Sequence, residues 1–479
     1  MGREVGVMDL LQVKGKHIVD GSGRPVHLRG VCFGGWLNME NFIAGYLGTE
    51  DNLRQVVRRE LGEERYHAFF EGFRDAFIGP DDFAFLRRIG VTAVRIPFNY
   101  RMFESDMNPG TYDERGFHHL DRAIAAAREA GIYVILDLHA APGWQNEHWH
   151  SDNAHGVSLL WHDRNYQIRG RELWRHIARH YRGEPAVAGY NLLNEPNAPS
   201  IQMLNDLYNE WIAAIREVDP DHIVFLEGNN FSRDFAGLEV DFKDNIVFSS
   251  HNYTIVTHRA RMYPGWIGDL YVDRSFMERT FLEVSRWLIE QDHPAWVGEF
   301  GALFDGPVNQ WSNSDAARLK ALADQLDIFN AYDQHWTIWT YKDVGVQGLA
   351  VSDPNCEYMR RIRPILALKR RLGTDAWLAR EEGWLVGRVR ALVEDAMAMV
   401  DDFSLDRQRI VRGLVERGIF SYFANQLAPL YVNCFADLTA NEIREMMTEA
   451  FAFSHCVIRQ RLVEVIEAAL KGSPAPRST

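Results

Sequence analysis

Eight short apolar runs, spaced through the first three-quarters of the chain with helical patterns between them, constrain the fold more than any other feature. They are Leu28–Phe33, Val91–Ile96, Ile132–Leu138, Val187–Leu193, His222–Glu227, Ile246–Ser250, Ala295–Phe300 and His335–Thr340. Several, such as IYVILDL at 132–138, are apolar at consecutive positions, the pattern of a strand buried on both faces. Between the runs, apolar residues recur at helical spacing, as in DDFAFLRRIG, FHHLDRAIAAAREAG and IQMLNDLYNEWIAAIREV. Several of these segments stop at a glycine or a proline, among them Gly90, Gly131, Pro220 and Pro294. Strand and helix alternating in this way predict an α/β chain closed as a (β/α)8 TIM barrel. The alternative, a doubly wound open sheet, usually has fewer strands and one switch point for its ligand.

Long segments follow the strands, at 34–78, 139–167, 251–274, 301–313 and 341–356, whereas the connections leading back into strands are short. In a barrel such post-strand loops share one face, and that face carries the chemistry. They hold Trp36, Trp144, Trp149, Trp161, Trp266 and Trp311, with many His and Asn. Aromatic faces beside hydrogen-bonding groups suit sugar rings; the same tryptophans equally suit the filling of loop cores.

Past residue 374 the strand pattern stops and the rest reads as helix, with Thr439 and Glu442 in a capping-box arrangement. The expected organisation is a barrel over 1–374 and a helical extension over 375–479 ending in a frayed tail. The extension is free to pack on the barrel, to roof the site or to make a homo-oligomer contact. Hydrophobic residues are 46% of the chain, enough for a large core without a disulfide or metal staple. A net charge of −14 argues against a nucleic-acid or anionic-membrane partner, whose phosphates it repels. No stretch approaches a membrane span, the N-terminus lacks the apolar core of a signal peptide, and Cys32, Cys356, Cys434 and Cys456 show no paired spacing. Reduced thiols and a cytoplasmic location are expected.

Two glutamates end predicted strands: Glu195 in YNLLNEPN and Glu299 in AWVGEFG. A carboxylate after an apolar strand points into the barrel mouth, where it must be paired or functional. Two facing one cavity meet the need of glycoside hydrolysis, in which one protonates the leaving oxygen and the other attacks or activates water. Polar groups recur at other strand ends. Arg95 is placed to hold the nucleophile ionised. His139, His251 and Tyr253 line the same rim. Trp339 is placed to floor the sugar, and Asn194 to donate to its 2-hydroxyl.

NEP at 194–196, GEF at 298–300, Arg95, DLH at 137–139, HNY at 251–253 and WTYKD at 339–343, in that family's order, resemble glycoside hydrolase family 5 over roughly residues 12–372. The resemblance implies retention through a covalent glycosyl-enzyme, with Glu195 as acid/base and Glu299 as nucleophile. It also implies support from Arg95, His139, Asn194, His251, Tyr253 and Trp339. GGWLNME at 34–40 and HAAPGWQN at 139–146 are similar to motifs of the family's exo-β-1,3-glucanase branch, which implies sugar-binding roles for Glu40 and Asn146. The loop WQNEHWHSDNAHG and the helical extension have no counterpart there.

The histidines at 139, 148, 150, 155 and 162 raise a metal site, but no HExxH motif accompanies them and the two-glutamate mechanism requires none. No metal and no cofactor are expected. The resulting expectation is an exo-acting β-glycosidase for soluble β-glucosides or β-gluco-oligosaccharides. An endo-β-glucanase, a transglycosylase and an inactive carbohydrate-binding barrel are the alternatives.

Overall fold

The structure is a computed structural model that describes residues 8–374, 377, 383–400 and 405–472. Eight parallel strands close into a barrel: β1 (Arg29–Cys32), β2 (Ala93–Asn99), β3 (Tyr133–Ala140), β4 (Val187–Asn191), β5 (Ile223–Glu227), β6 (Ile246–His251), β7 (Ala295–Glu299) and β8 (His335–Ile338). Each pairs with its sequence neighbours, and β8 closes on β1 through Trp336–Arg29 and Ile338–Val31. Close strand approach depends on glycine at two points. A Cβ on Gly30 would lie 2.0 Å from the Ala93 carbonyl oxygen, and one on Gly189 2.0 Å from that of Ile223.

The barrel interior is a packed core. Its lower layer joins Leu28, Ala93, Ile135, Ala188, Ile223, Phe225, Val247 and Trp296, and Leu11 and Ile18 of an N-terminal hairpin (Gln12–Lys14 with His17–Val19) cap it from below. Polar side chains collect at the opposite end. Cys32 stands in register with Arg95, Glu227 with Ser249, and His251 with Glu299.

The first post-strand segment contains α1 (Glu50–Leu61) and α2 (Glu63–Phe77). The outer ring comprises α3 (Pro80–Ile89), α4 (Phe117–Ala130), α5 (Arg164–Tyr181), α6 (Ile201–Arg216), α7 (Arg274–Glu290), α8 (Asn313–Ala331) and α9 (Glu357–Leu372). One ring helix is missing from the expected alternation. After β5 the chain makes only a turn in which Asn230, Phe231 and Ser232 all take left-handed backbone, then runs as loop into β6.

The extension packs on the barrel. It comprises α10 (Trp384–Ala398), α11 (Arg407–Leu414), a π-helical stretch Val415–Phe423, α12 (Ala424–Val432), α13 (Ala440–Phe451) and α14 (Gln460–Leu470). Residues 378–382, expected as helix, lie outside the described residues. The final helical segment of the expectation is in fact two helices: between α13 and α14 the strand Cys456–Ile458 pairs with Ala350–Ser352 beyond β8. Lys342 is buried where these parts meet, its Nζ donating to the carbonyls of Phe77 at 2.5 Å and Phe451 at 2.8 Å and pairing with Asp82 at 2.8 Å. Asn425 of α12 accepts from the Thr49 N–H at 2.9 Å, and its carbonyl accepts from Asn52 at 3.1 Å, so the extension grips the first post-strand segment. The capping box on α13 forms between Thr439 and Glu442.

Candidate active site

The two predicted glutamates converge. A carboxylate oxygen of Glu195, a ring nitrogen of His251 and a carboxylate oxygen of Glu299 all lie within 4.8 Å of one another. Glu299 ends β7. One of its oxygens accepts from Arg95 Nη1, and the other accepts from the Tyr253 hydroxyl at 2.8 Å. Arg95 is wholly buried in β2, donates also to Asn191 (3.1 Å), Asn194 (2.7 Å) and Glu227 (3.2 Å), and pairs with Asp137 at 3.1 Å. Burial works against its charge, but Asp137, Glu299 and Glu227 raise its pKa well above the usual arginine value.

Glu195 follows β4 with a left-handed backbone (φ 46°), a conformation that costs a non-glycine residue about 1 kcal/mol or more. Two neighbours hold it there. Glu227 accepts from the Glu195 N–H at 2.7 Å, and the Asn146 amide donates to the Glu195 carbonyl at 3.0 Å. The Glu195 side chain then meets two imidazoles. Its Oε1 accepts from His251 Nδ1 at 2.7 Å, and its Oε2 lies 3.3 Å from His150 Nε2. Burial pushes Glu195 up, but the His251 hydrogen bond and the charges of His251 and His139 outweigh it and hold the carboxyl at about 2. Correspondingly, although burial opposes it, Glu227, Glu299 and Glu195 raise His251 well above the ordinary histidine value, so the pair keeps its proton on the ring. Burial moves His150 the other way, down to about 3, which leaves it neutral.

On the far side of Arg95, His139 links Asp137 (Nδ1 to Oδ2, 2.7 Å) to Glu40 (Nε2 to Oε1, 3.2 Å). Burial pushes Glu40 up to about 7 against the opposing His139 bond; burial also opposes charge on His139, yet Asp137 and Glu40 raise it to about 10. Trp339 stacks parallel to the His139 ring at 5.3 Å and packs on Gly34, where a Cβ would sit 2.7 Å from the indole.

The structure therefore gathers Glu40, Arg95, His139, Asn194, Glu195, His251, Tyr253, Glu299 and Trp339 into one connected cluster. Asn146 is buried beside this cluster, with its amide donating to the Glu195 carbonyl and its oxygen accepting from the His148 N–H at 3.0 Å. Asn194 turns its oxygen to Arg95, and its amide nitrogen lies 3.5 Å from His139 Nε2. Of the loop tryptophans, Trp36 and Trp161 are loop core, bonded to the carbonyls of Arg74 and Gln145 at 2.9 and 2.8 Å. Trp266 is 62% exposed.

Two members of the cluster escaped sequence reasoning. Glu227 ends an apolar strand as Glu195 and Glu299 do, and the same signal would have found it. His150 was singled out only as one of a group of histidines weighed as metal ligands, because nothing local shows that its loop brings it to Glu195.

The family model "Cellulase (glycosyl hydrolase family 5)" matches residues 71–345. The chain is 39% identical over 377 residues, 77% of its own length and 78% of the relative's, to a protein named beta-xylosidase from Phanerodontia chrysosporium. It is 28% identical over 317 residues to endoglucanase C of Acetivibrio thermocellus, covering 58% of this chain and 88% of that one. It is 27% identical over 372 residues to probable glucan 1,3-beta-glucosidase A of Aspergillus fumigatus, covering 68% and 85% respectively.

Proposed function

The chain belongs to glycosyl hydrolase family 5, and from that premise we propose that it is a retaining, exo-acting β-glycosidase working by double displacement. The observation that carries the reading is the proximity of the Glu195 and Glu299 carboxylate oxygens, within 4.8 Å. Retaining enzymes hold their carboxyl groups about 5–5.5 Å apart, whereas inversion needs roughly 6.5–9.5 Å to admit a water between them.

In this reading Glu299, oriented by Arg95 and Tyr253, attacks the anomeric carbon. Glu195 delivers the proton to the departing oxygen, drawing it from the imidazole of His251 along their 2.7 Å hydrogen bond. Water then enters where the leaving group was. Glu195 takes its proton, and the glycosyl–Glu299 ester is hydrolysed with a second inversion, so the product keeps the β configuration. Glu40, paired with His139 beside Trp339, supports release of units from a chain end, since the resemblance gives this residue a grip on the terminal sugar.

The substrate class is a β-linked glucoside, xyloside or short oligosaccharide. An endo-acting enzyme is the second reading, favoured by the match to endoglucanase C. Proton NMR of the first-formed product from aryl β-glucoside, xyloside and mannoside tests the mechanism, and β-glucan product sizing tests the mode. An initial β-anomer and single-sugar release are expected. An initial α-anomer sinks retention, and random mid-chain cleavage sinks the exo assignment. Glu299→Gln should lose turnover by about 10³-fold or more, since it removes the nucleophile; activity near wild type would overturn that role.

A further inference from the structure

The segment between Gln145 and Leu159 places an imidazole against the carboxyl group read above as the acid/base. His150 Nε2 is 3.3 Å from Glu195 Oε2, while His251 holds Oε1 at 2.7 Å. Both oxygens of one carboxyl group are thus flanked by ring nitrogens, and the group cannot swing about its terminal bond without losing a partner. The His150 and Glu195 side chains are only 13% and 14% exposed, so water does not readily substitute for either partner.

The loop that carries His150 is rigid for reasons visible in its bonding. Residues Trp149–Ser151 form a single turn in which the Ser151 hydroxyl donates to the His148 carbonyl at 2.8 Å. The His150 carbonyl accepts from the Asn38 amide at 3.0 Å. Trp149 packs edge-on against Phe42 at 6.0 Å. Asp152, in left-handed backbone, accepts from the Asp51 N–H at 2.8 Å, Asn99 at 2.9 Å and Arg101 at 3.0 Å. So many anchors around one turn are more than a solvent-facing loop needs; they fix the aim of the histidine between them.

We propose that His150 is a positioning residue for Glu195, holding the second oxygen of the acid/base carboxyl group in line with the departing glycosidic oxygen. The inference rests on the acid/base reading of Glu195. The groups facing His150 are Glu195, His139, His148 and His251. Buried and neutral among them, the ring serves both halves of the reaction. With Nε2 carrying its proton, the neutral ring donates to Oε2 whether or not the carboxyl is protonated, so the acid proton is never directed at His150. It supplies no proton of its own and forms no bond to the substrate.

The test compares two leaving groups on whichever of glucose, xylose or mannose the wild-type enzyme turns over fastest. A 2,4-dinitrophenyl glycoside departs without acid assistance; a methyl glycoside needs it. Positioning the general acid predicts that His150→Phe lowers kcat/KM on the methyl glycoside by about 10–100-fold, a share of the 10²–10⁴ that general acid catalysis supplies, and leaves the dinitrophenyl glycoside within about 3-fold. His150→Gln, whose amide nitrogen reaches the same point, should restore most of the methyl glycoside rate, and the shorter His150→Asn should not. This pair carries the test if His150→Phe fails to fold. Equal losses on both glycosides, or no loss on either, overturn the proposal. Glu195→Ala is the control. If it shows the leaving-group split and the His150 variants do not, only the positioning role fails. If Glu195→Ala itself shows no split, or the wild type turns over none of the three sugars, the acid/base reading fails and takes this inference with it.

Discussion

Arg95→Met tests how the site is held together, because one buried cation faces Glu299, Asp137 and Glu227 at once, the latter two at 3.1 and 3.2 Å. Methionine fills most of the volume but leaves those carboxylates without their shared partner. Removing one member of a buried ion pair costs about 3–5 kcal/mol, since the remaining charge stays desolvated. Unfolding entropy of about 2.1 cal/mol/K per residue gives roughly 1 kcal/mol/K over this chain, so Tm should fall by about 3–5 °C. The orphaned carboxylates then gain by taking up protons. The native state of the variant binds more protons than that of the wild type, and its stability deficit shrinks as pH falls from 7 to 5. Glu227→Gln added to Arg95→Met removes one uncompensated charge while its side-chain oxygen still accepts from Glu195, so the double variant should recover about half the loss. Arg95→Lys keeps the charge but not the fork, and should be more stable than Arg95→Met yet still impaired in turnover. Calorimetric scans at pH 5, 6 and 7 with kcat on an aryl glycoside read all of this. A double variant no more stable than Arg95→Met, or a deficit that grows on acidification, would refute the idea that Arg95 compensates a crowd of buried carboxylates.

Two further outcomes follow from other buried charges. Lys342→Met removes the cation that joins α2, Asp82 and the end of α13, and should cost about 3–5 kcal/mol. Recovery in Lys342→Met with Asp82→Asn, read by denaturant midpoints, would show that the loss comes from the stranded carboxylate; no recovery would refer it to packing. His335 is buried, accepts from the Leu28 N–H at 3.0 Å, and is pushed by burial down to about 3. Its neutral form contributes stability that is whole above pH 6.5 and drains as pH falls toward 3. Between pH 6.5 and 4.5 the wild type should therefore lose about 2–3 kcal/mol more than His335→Gln, at 1.36 kcal/mol per unit. Parallel denaturant curves for the two proteins over that range would contradict the assignment.

The eight strands were legible because burial on both faces writes itself into sequence as unbroken apolar runs, and IYVILDL has few other ways to be satisfied. Glu195 and Glu299 were legible because a carboxylate ending such a run has no cheap structural role. Glu227 carried the same signal, yet what it does is support: it accepts from the Glu195 backbone. The strand Cys456–Ile458 was hidden, since amphipathic helix flanks it on both sides and its pairing partner, Ala350–Ser352, is over a hundred residues away. The missing helix after β5 was hidden too, because three successive left-handed residues leave no periodic trace.

Periodicity and strand-end chemistry thus determined, from the sequence alone, that this chain closes a barrel with two glutamates at its mouth, because both depend on local pattern and on what burial demands of a side chain. Only the tertiary structure decided who partners them: Tyr253 on Glu299, His150 and His251 on Glu195, Asn146 turned to the backbone, and the extension bound to the barrel through Lys342 and Asn425. Those contacts join residues distant in sequence, and their geometry exists only once the strands have closed and the loops above them have packed.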